Sequence, residues 1–199
     1  RDSSQSYQET MMEQALDNHF ETELELFERE QSKIKPSTLF FIDSIQSYRG
    51  ENNDGWLLTA FEKMLKQAVK KTIKKIEDKG ALTKERLEYL DYLQATLDDI
   101  SATHGGYFAE DLGTSDEEVA KQVREILSDK QQLMSFKDEK GNWNTRRFIF
   151  SKWTLREGWD LPNVFQIVKM RSSGSEVSKL QEVGLSLIHI SEPTRRTPI

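Results

Sequence analysis

Three short apolar segments limit the folds open to this chain more than any other feature. Residues 38–42 form a continuous run of aromatic and branched side chains, and Asp43 and Ser44 follow it directly. Similar runs occur at residues 147–151 and 164–168. Continuous apolar runs of this length are typical of strands that are buried on both faces, as in a parallel sheet. The sequence therefore predicts three strands of such a sheet.

Amphipathic helices alternate with these strands. Apolar residues recur at steps of three and four, Pro36 follows the first helix, Thr83 begins the third, and Ser115 forms a capping box with Glu118. The predicted helices cover residues 8–33, 55–80, 83–97, 115–127 and 175–183. A turn next to a short strand is predicted at residues 104–108, and a polar turn at residues 137–145. This alternation predicts an α/β fold with a mainly parallel sheet, in which ligands bind outside the carboxyl ends of the strands.

Composition excludes several classes of protein. The length of 199 residues suits one domain, or one domain with a large appendage. Because the chain has no cysteine, it cannot form disulfides, thiolate zinc sites or iron–sulfur clusters. The net charge of −6 argues against a protein that binds nucleic acid over its whole surface. With no apolar run of 18 residues and no signal segment after Arg1, we expect a soluble, cytoplasmic fragment without its initiator methionine.

Common nucleotide and metal motifs do not occur in the sequence. None of the ten glycines precedes a lysine, as a phosphate-binding loop requires, and GxGxxG is missing. The acid pairs at residues 116–117 and 138–139 follow no apolar strand, so we interpret them as a helix start and a turn. The histidines are too scattered for a zinc pair. We interpret His104, which lies near Glu110 and Asp111, as structural rather than catalytic.

Residues 152–163 are the first place to look for chemistry. They follow the predicted strand at residues 147–151 and therefore lie at a carboxyl end of the sheet. They contain two tryptophans, an Arg–Glu pair, a glycine and an aspartate before a proline turn. Such residues are unusual choices for a plain connector, although a packed loop without function is the alternative.

This loop and two other stretches resemble a known family. FIFSKWTLREGWD at residues 148–160, with PNVF at 162–165, closely resembles motif V of the superfamily 2 helicase-like ATPases found in the restriction (Res) subunits of type III restriction-modification enzymes. LFFIDSIQSYR at residues 39–49 is similar to motif IV, and GSEVSKLQEVG at 174–184 is similar to the start of motif VI. Tyr107 and Phe108 with Asp111 are similar to a further segment of that family.

The resemblance implies a second RecA-like motor domain at residues 36–184. It implies a helical lead-in at residues 1–35 and a helical insertion at about residues 55–100. The residues implied to face the nucleotide cleft are Glu157, Gly158, Asp160, Gln181 and Gly184. The residues implied to lie on the DNA side are Asp43, Ser44, Ser151, Lys152 and Thr154. A loop that touches both ligands can couple the state of the nucleotide to the grip on DNA.

Cofactors and partners are likewise implied by the resemblance. An intact Res subunit is implied to use ATP and Mg²⁺ on double-stranded DNA, together with a methyltransferase (modification) subunit. The sequence contains no phosphate-binding loop, no magnesium-binding acids and no motif VI arginines, which phosphoryl transfer requires. We therefore expect the chain alone to bind neither ATP nor Mg²⁺ and to be inactive.

Two departures from the family pattern stand out. Leu161 occupies a position where the family usually has asparagine. Residues 185–199 do not continue motif VI and look like the translation of a sequencing adapter. We expect them to be an assembly artefact and leave them out of the predicted fold.

Two other functions are open on the sequence. The first is a helicase-like ATPase of another defence system, because motif V fixes neither a nuclease domain nor a methyltransferase partner. The second is a helical adaptor without catalysis. In that case the acidic first helix and the lysine-rich second helix would bind partners.

Overall fold

A computed structural model describes residues 3–29, 34–108, 115–152 and 163–170 of the chain. Within these ranges the chain forms five α-helices, one 3₁₀ turn and four strands. In chain order they are α1 (Ser3–Phe27), β1 (Ser37–Ile42), α2 (Ile45–Arg49), α3 (Trp56–Asp78), α4 (Lys84–Asp98), the 3₁₀ turn (Ile100–Thr103), β2 (His104–Tyr107), α5 (Asp116–Met134), β3 (Phe148–Lys152) and β4 (Val164–Met170).

The described strands form one parallel sheet in the order β2–β3–β1–β4. Phe40 of β1 lies opposite Phe150 of β3, and Tyr107 of β2 lies opposite Ser151. Because every described pair is parallel, the carboxyl ends of the strands meet at one edge of the sheet. The predicted α/β, RecA-like fold class is confirmed.

Helices cover both faces of the sheet. On one face α3 inserts Phe61, whose ring meets Phe40 and Phe150 edge-on at centroid distances of 5.6 and 5.0 Å. α1 packs on the same face and joins this core through an apolar stripe that includes Met12. On the other face, Leu133 of α5 packs in a second cluster of strand side chains. Burial on both faces explains why the strands are continuous apolar runs.

An aromatic cluster joins the end of α1 to α4 and to the polar turn at residues 137–145. The ring of Phe27 lies 5.0 Å from Tyr89 and 4.9 Å from Phe136, and Tyr92 lies 5.0 Å from Trp143. The indole of Trp143 donates a hydrogen bond to Asp91 on α4. The cluster therefore fixes α4 to the rest of the fold.

Two details of the helices differ from the sequence prediction. α1 ends at Phe27, and Glu28 and Arg29, which follow it, are exposed. Residues 30–33, to which the predicted helix extends, lie outside the described part of the chain. In α4 the sequence spacing predicts a leucine face at residues 87, 90, 93 and 97. The buried residues are instead Tyr89, Tyr92 and Leu93 with Thr96, and Leu87 is 53% exposed. The predicted domain boundaries remain predictions, although α1 packs directly on the sheet. Among the described residues no helix is long and apolar enough to cross a membrane.

A buried polar network ties α1 to the amino ends of the strands. Glu23 of α1 binds the guanidinium of Arg147, which directly precedes β3; Nη2 donates to Oε1 at 3.2 Å, and Nε lies 2.7 Å from Oε2 as an ion pair without hydrogen-bond geometry. His19 bridges Glu23 and Thr38 of β1, with both contacts at 2.8 Å. Gln166 of β4 donates to the carbonyl of Ala15 and to the hydroxyl of Thr38.

The charge states of this network follow from its contacts. Burial alone would raise the pKa of Glu23, but Arg147 and His19 together hold that pKa below its usual value. Burial would lower the pKa of Arg147, but Glu23 raises it. Burial lowers the pKa of His19, so the ring is neutral. A neutral ring can donate from Nε2 to the Glu23 carboxylate and accept at Nδ1 from the Thr38 hydroxyl.

Lys35 is a second buried basic side chain at this end of the sheet. Its Nζ donates to the carbonyl oxygens of Gln132 at 2.6 Å, Ser135 at 3.3 Å and Asn144 at 2.7 Å. These carbonyls can accept all three ammonium hydrogens. Burial and the charge of Arg147 act against the ammonium and lower the pKa of Lys35 to about 6.

Replacing Arg147 by methionine should strongly destabilise the fold, because Glu23 would keep a buried charge without its cation. We expect a loss of about 3–5 kcal/mol in the free energy of unfolding of the 199-residue chain, measured by urea unfolding with tryptophan fluorescence. The matched control is Arg146→Met. Arg146 pairs with Asp129 at partly exposed positions, so its loss should cost about 1 kcal/mol or less. Equal losses in the two variants would contradict this account.

The stability of the chain should rise with pH through Lys35. Because its folded pKa is about 6 and its ordinary value is 10.5, the unfolded chain binds more protons between these two pH values. The free energy of unfolding must then increase with pH across that window. Lys35→Met should flatten this part of the profile, as measured by the urea midpoint at several pH values. A profile that is the same in both proteins would show that the carbonyls keep Lys35 charged.

Candidate functional site

The two stretches that resemble motifs IV and V meet at the carboxyl edge of the sheet. Ile42, the last residue of β1, lies opposite Lys152, the last residue of β3. Asp43 and Ser44 follow β1 directly, so they leave the sheet next to Lys152. The structure therefore brings together four of the residues predicted on the DNA side, including Ser151.

Asp43 and Ser44 form the turn between β1 and α2. Asp43 is exposed, whereas Ser44 is partly buried. The hydroxyl of Ser44 accepts a hydrogen bond from the backbone N–H of Ser47 at 3.2 Å and so caps α2. This capping contact fixes the end of β1 to the first turn of α2.

Ser151 and Lys152 differ in their surroundings. The hydroxyl of Ser151 is buried and donates to the carbonyl of Tyr107 at 2.8 Å, which ties β3 to β2 at the edge. Lys152 is partly exposed. Of these two side chains, Lys152 is the better placed to contact an outside ligand.

Helix α2 is held against the sheet by Tyr48. Its ring stacks on Phe150 at a centroid distance of 4.6 Å, and its hydroxyl lies 2.7 Å from Nδ1 of His104. Nε2 of His104 lies 2.9 Å from Oε1 of Glu62 on α3. Burial lowers the pKa of His104 against the opposing effect of Glu62, so the neutral ring donates to Glu62 and accepts from Tyr48.

Gly106 of β2 leaves room for this packing. A Cβ at this position would lie 2.6 Å from Phe108 and 2.7 Å from the ring of Tyr48. Phe108 in turn lies beneath the guanidinium of Arg49, at 5.0 Å from the ring centroid. The close approach of α2 to the sheet therefore requires glycine at residue 106.

Sequence reasoning interpreted His104 as structural, and the structure agrees. Its partners Tyr48 and Glu62 are far from it in sequence, so nothing local to His104 predicts them. Glu110 and Asp111, the neighbours considered in the sequence, lie outside the described residues.

Other predicted site residues also lie outside the described part of the chain. They are Thr154, Glu157, Gly158, Asp160, Gln181 and Gly184. The next described residue is Asn163. Its carbonyl accepts a hydrogen bond from the N–H of Ser37, at the amino edge of the sheet. Residues 153–162 thus connect the carboxyl edge at Lys152 to the amino edge at Asn163.

The described residues contain no group of three or more His, Asp or Glu side chains that could hold a metal ion. Asp116 and Glu117 are exposed at the start of α5. Asp138 accepts from the backbone N–H groups of Asn142 and Lys140, and the contact with Asn142 lowers its pKa. These observations agree with the interpretation of both acid pairs as local structure.

Sequence comparisons relate the chain to one group of curated proteins. The type III restriction-modification enzyme StyLTI Res subunit of Salmonella typhimurium is 52% identical over 92% of this chain. The EcoPI Res subunit of Escherichia phage P1 and the EcoP15I Res subunit of Escherichia coli are 47% and 46% identical, again over 92% of the chain. The chain spans only 17–19% of the length of these relatives. No family model matches the chain.

Gly106→Ala should destabilise the chain, because the new methyl group would push Tyr48 and Phe108 away from β2. We expect a loss of about 1–3 kcal/mol in the free energy of unfolding, measured by urea unfolding. Gly105→Ala is the matched control in the same strand, where the nearest atom to a Cβ belongs to Tyr107 at 3.1 Å. It should cost clearly less. A larger loss for Gly105→Ala would contradict the packing described for α2.

Proposed function

We propose that this chain, which is homologous to a segment of type III restriction-modification Res subunits, forms one side of the ATP and DNA cleft in a helicase-like motor. Identities of 46–52% over 92% of the chain support its being part of a restriction enzyme subunit. The motor activity, its ligands and the residues that contact them are proposed on the grounds given below.

One geometric observation carries the proposal. Residues 43–44 and 151–152 belong to two stretches that are more than one hundred residues apart in sequence, yet they leave the sheet side by side at its carboxyl edge. In parallel α/β sheets this edge is where ligands bind. The agreement between this position and the resemblance to motifs IV and V supports a ligand-binding cleft there.

On the DNA side, Lys152 is the residue that we expect to contact a phosphate. It is partly exposed and ends β3 at the edge. Asp43, Ser44 and Thr154 are proposed to lie along the same strand of DNA. Ser151 is proposed to position Lys152, because its hydroxyl is bound to the carbonyl of Tyr107.

On the nucleotide side, the proposal assigns Glu157, Gly158 and Asp160 to the cleft, with Gln181 and Gly184. All five lie outside the part of the chain that the structure describes, so their assignment rests on the resemblance to motifs V and VI. ATP with Mg²⁺ would supply the free energy for movement on DNA. The phosphate-binding loop, the magnesium-binding acids and the arginine that stabilises the transferred phosphoryl group would come from other parts of an intact Res subunit.

The proposed partners are double-stranded DNA and a methyltransferase (modification) subunit. Both are properties of the whole enzyme, of which this chain matches 17–19%. A helicase-like ATPase of another defence system would use the same cleft, but all three of these relatives are type III Res subunits, which favours the restriction enzyme.

The adaptor hypothesis receives less support. Its two helices, α1 and α3, pack against each other, and Lys71 of α3 lies 3.5 Å from Asp17 of α1. Part of the charge on the two helices is therefore paired within the chain.

Lys152→Ala, made in the intact Res subunit, should weaken DNA binding. Loss of one phosphate contact should reduce the slope of log affinity against log salt concentration by about 1, measured by fluorescence anisotropy with duplex DNA. The matched control is Lys74→Ala on the exposed side of α3, which should leave the slope unchanged. If Lys152→Ala keeps the slope of the natural protein, the proposed DNA side of the cleft is wrong.

A further inference from the structure

Helix α2 is too short to be stable by its own hydrogen bonds. It has five residues, and isolated helices of this length do not persist in water. Tyr48 is the buried residue of α2. Its ring stacks on Phe150 and packs against Gly106. The position of α2 therefore depends on how firmly Tyr48 is held.

The hydroxyl of Tyr48 is held by groups from two other elements. His104 begins β2, and Glu62 lies in the first half of α3 next to the core residue Phe61. The rings of Tyr48 and Phe61 both meet the His104 ring edge-on, at 5.8 and 5.6 Å, so the imidazole has little room to turn. With its two nitrogens bound to Tyr48 and Glu62, His104 joins α2, β2 and α3 through one ring.

We propose that Tyr48, His104 and Glu62 are positioning residues that set the place of Asp43 and Ser44 at the DNA side of the cleft. The link between Tyr48 and this turn is short. Ser44 caps α2 by accepting from the N–H of Ser47, the residue immediately before Tyr48. We therefore expect a shift of the Tyr48 ring to displace Ser47 and its capping contact with Ser44.

This inference rests on the proposed function and adds a role for the long helix α3. Through the contact of Glu62 with His104, α3 helps to hold Tyr48 and α2 in place. Helix α3 itself packs on a face of the sheet. The ligand of this edge is duplex DNA under the proposed function, because Lys152, opposite Ile42 in the sheet, can bind a phosphate next to the turn at Asp43 and Ser44.

The test compares two tyrosines in the intact Res subunit. Tyr48→Phe removes the hydroxyl that binds His104, and Tyr89→Phe removes one that donates to Glu23 at 3.0 Å in the buried network at the amino end. Both variants lose one buried hydrogen bond, and Tyr89→Phe should reduce stability at least as much, because its partner Glu23 is charged. Only Tyr48→Phe should alter the response to DNA.

The readout is ATPase activity as a function of duplex DNA concentration. Tyr48→Phe should raise the DNA concentration for half-maximal activity by about fivefold, the effect of one buried hydrogen bond, with kcat at saturating DNA unchanged. Tyr89→Phe should change neither value. The proposal is overturned if the two variants behave alike, or if Tyr48→Phe lowers kcat without a change in the half-saturating concentration.

Two substitutions of His104 give a second, independent measurement. His104→Gln keeps a donor and an acceptor and should restore part of the DNA response, whereas His104→Leu should raise the half-saturating concentration at least as much as Tyr48→Phe. Equal values for His104→Gln and His104→Leu would overturn the positioning role.

Failure of this inference is distinguishable from failure of the proposed function. If Lys152→Ala has no effect on DNA binding, both are overturned. If Lys152→Ala weakens DNA binding and Tyr48→Phe does not, the cleft stands and only the positioning role is lost.

Discussion

The ion pair between Glu23 and Arg147 is the contact on which the arrangement of α1 and the sheet depends. Both side chains are fully buried, and the guanidinium also lies 4.4 Å from the ring centroid of Tyr92 and donates to the carbonyl of Thr145. Burying two charges is costly unless every donor and acceptor finds a partner. Here the hydroxyl of Tyr89 and the ring of His19 both donate hydrogen bonds to the Glu23 carboxylate. Through these contacts α1 reaches β1, β3 and β4 at their amino ends.

The amino and carboxyl ends of the sheet therefore differ in the contacts and the exposure of their residues. At the amino end, a buried ion pair and hydrogen bonds close the structure, and the buried amino group of Lys35 donates to carbonyl oxygens of Gln132, Ser135 and Asn144. At the carboxyl end, Asp43 is exposed, and Ser44 and Lys152 are partly exposed. Substitutions of Glu23 or Arg147 should therefore act on stability, whereas Asp43 and Lys152 lie at the surface, where substitutions leave the buried contacts of the fold in place.

Much of the fold could be predicted from the sequence, because strands covered on both faces are apolar throughout and helices carry apolar stripes. The burial of its charged side chains could not be predicted from the sequence. Glu23 and Lys35 have the sequence surroundings of solvent-exposed residues, and their partners Arg147 and Asn144 are about one hundred residues away. Local patterns also fail in α4, where Leu87 is exposed because Tyr89 and Tyr92 occupy the aromatic cluster. For the candidate site, the sequence predicted that residues 152–163 follow a strand at the carboxyl edge of a parallel sheet, but Tyr48 and Glu62 carry no local signal.

The polar contacts of α1 join residues that are far apart in the sequence. Glu23 and Arg147 are 124 residues apart, and Gln166 is 151 residues from Ala15. During synthesis α1 leaves the ribosome with a carboxylate and an imidazole on the face that it will later bury, and their partners are made only much later. Contacts at such long separation form slowly, since the intervening chain must be ordered first. The contacts of α1 with β3 and β4 can therefore form only after nearly the whole segment has been made, whereas its packing on α3 needs a much shorter stretch of chain.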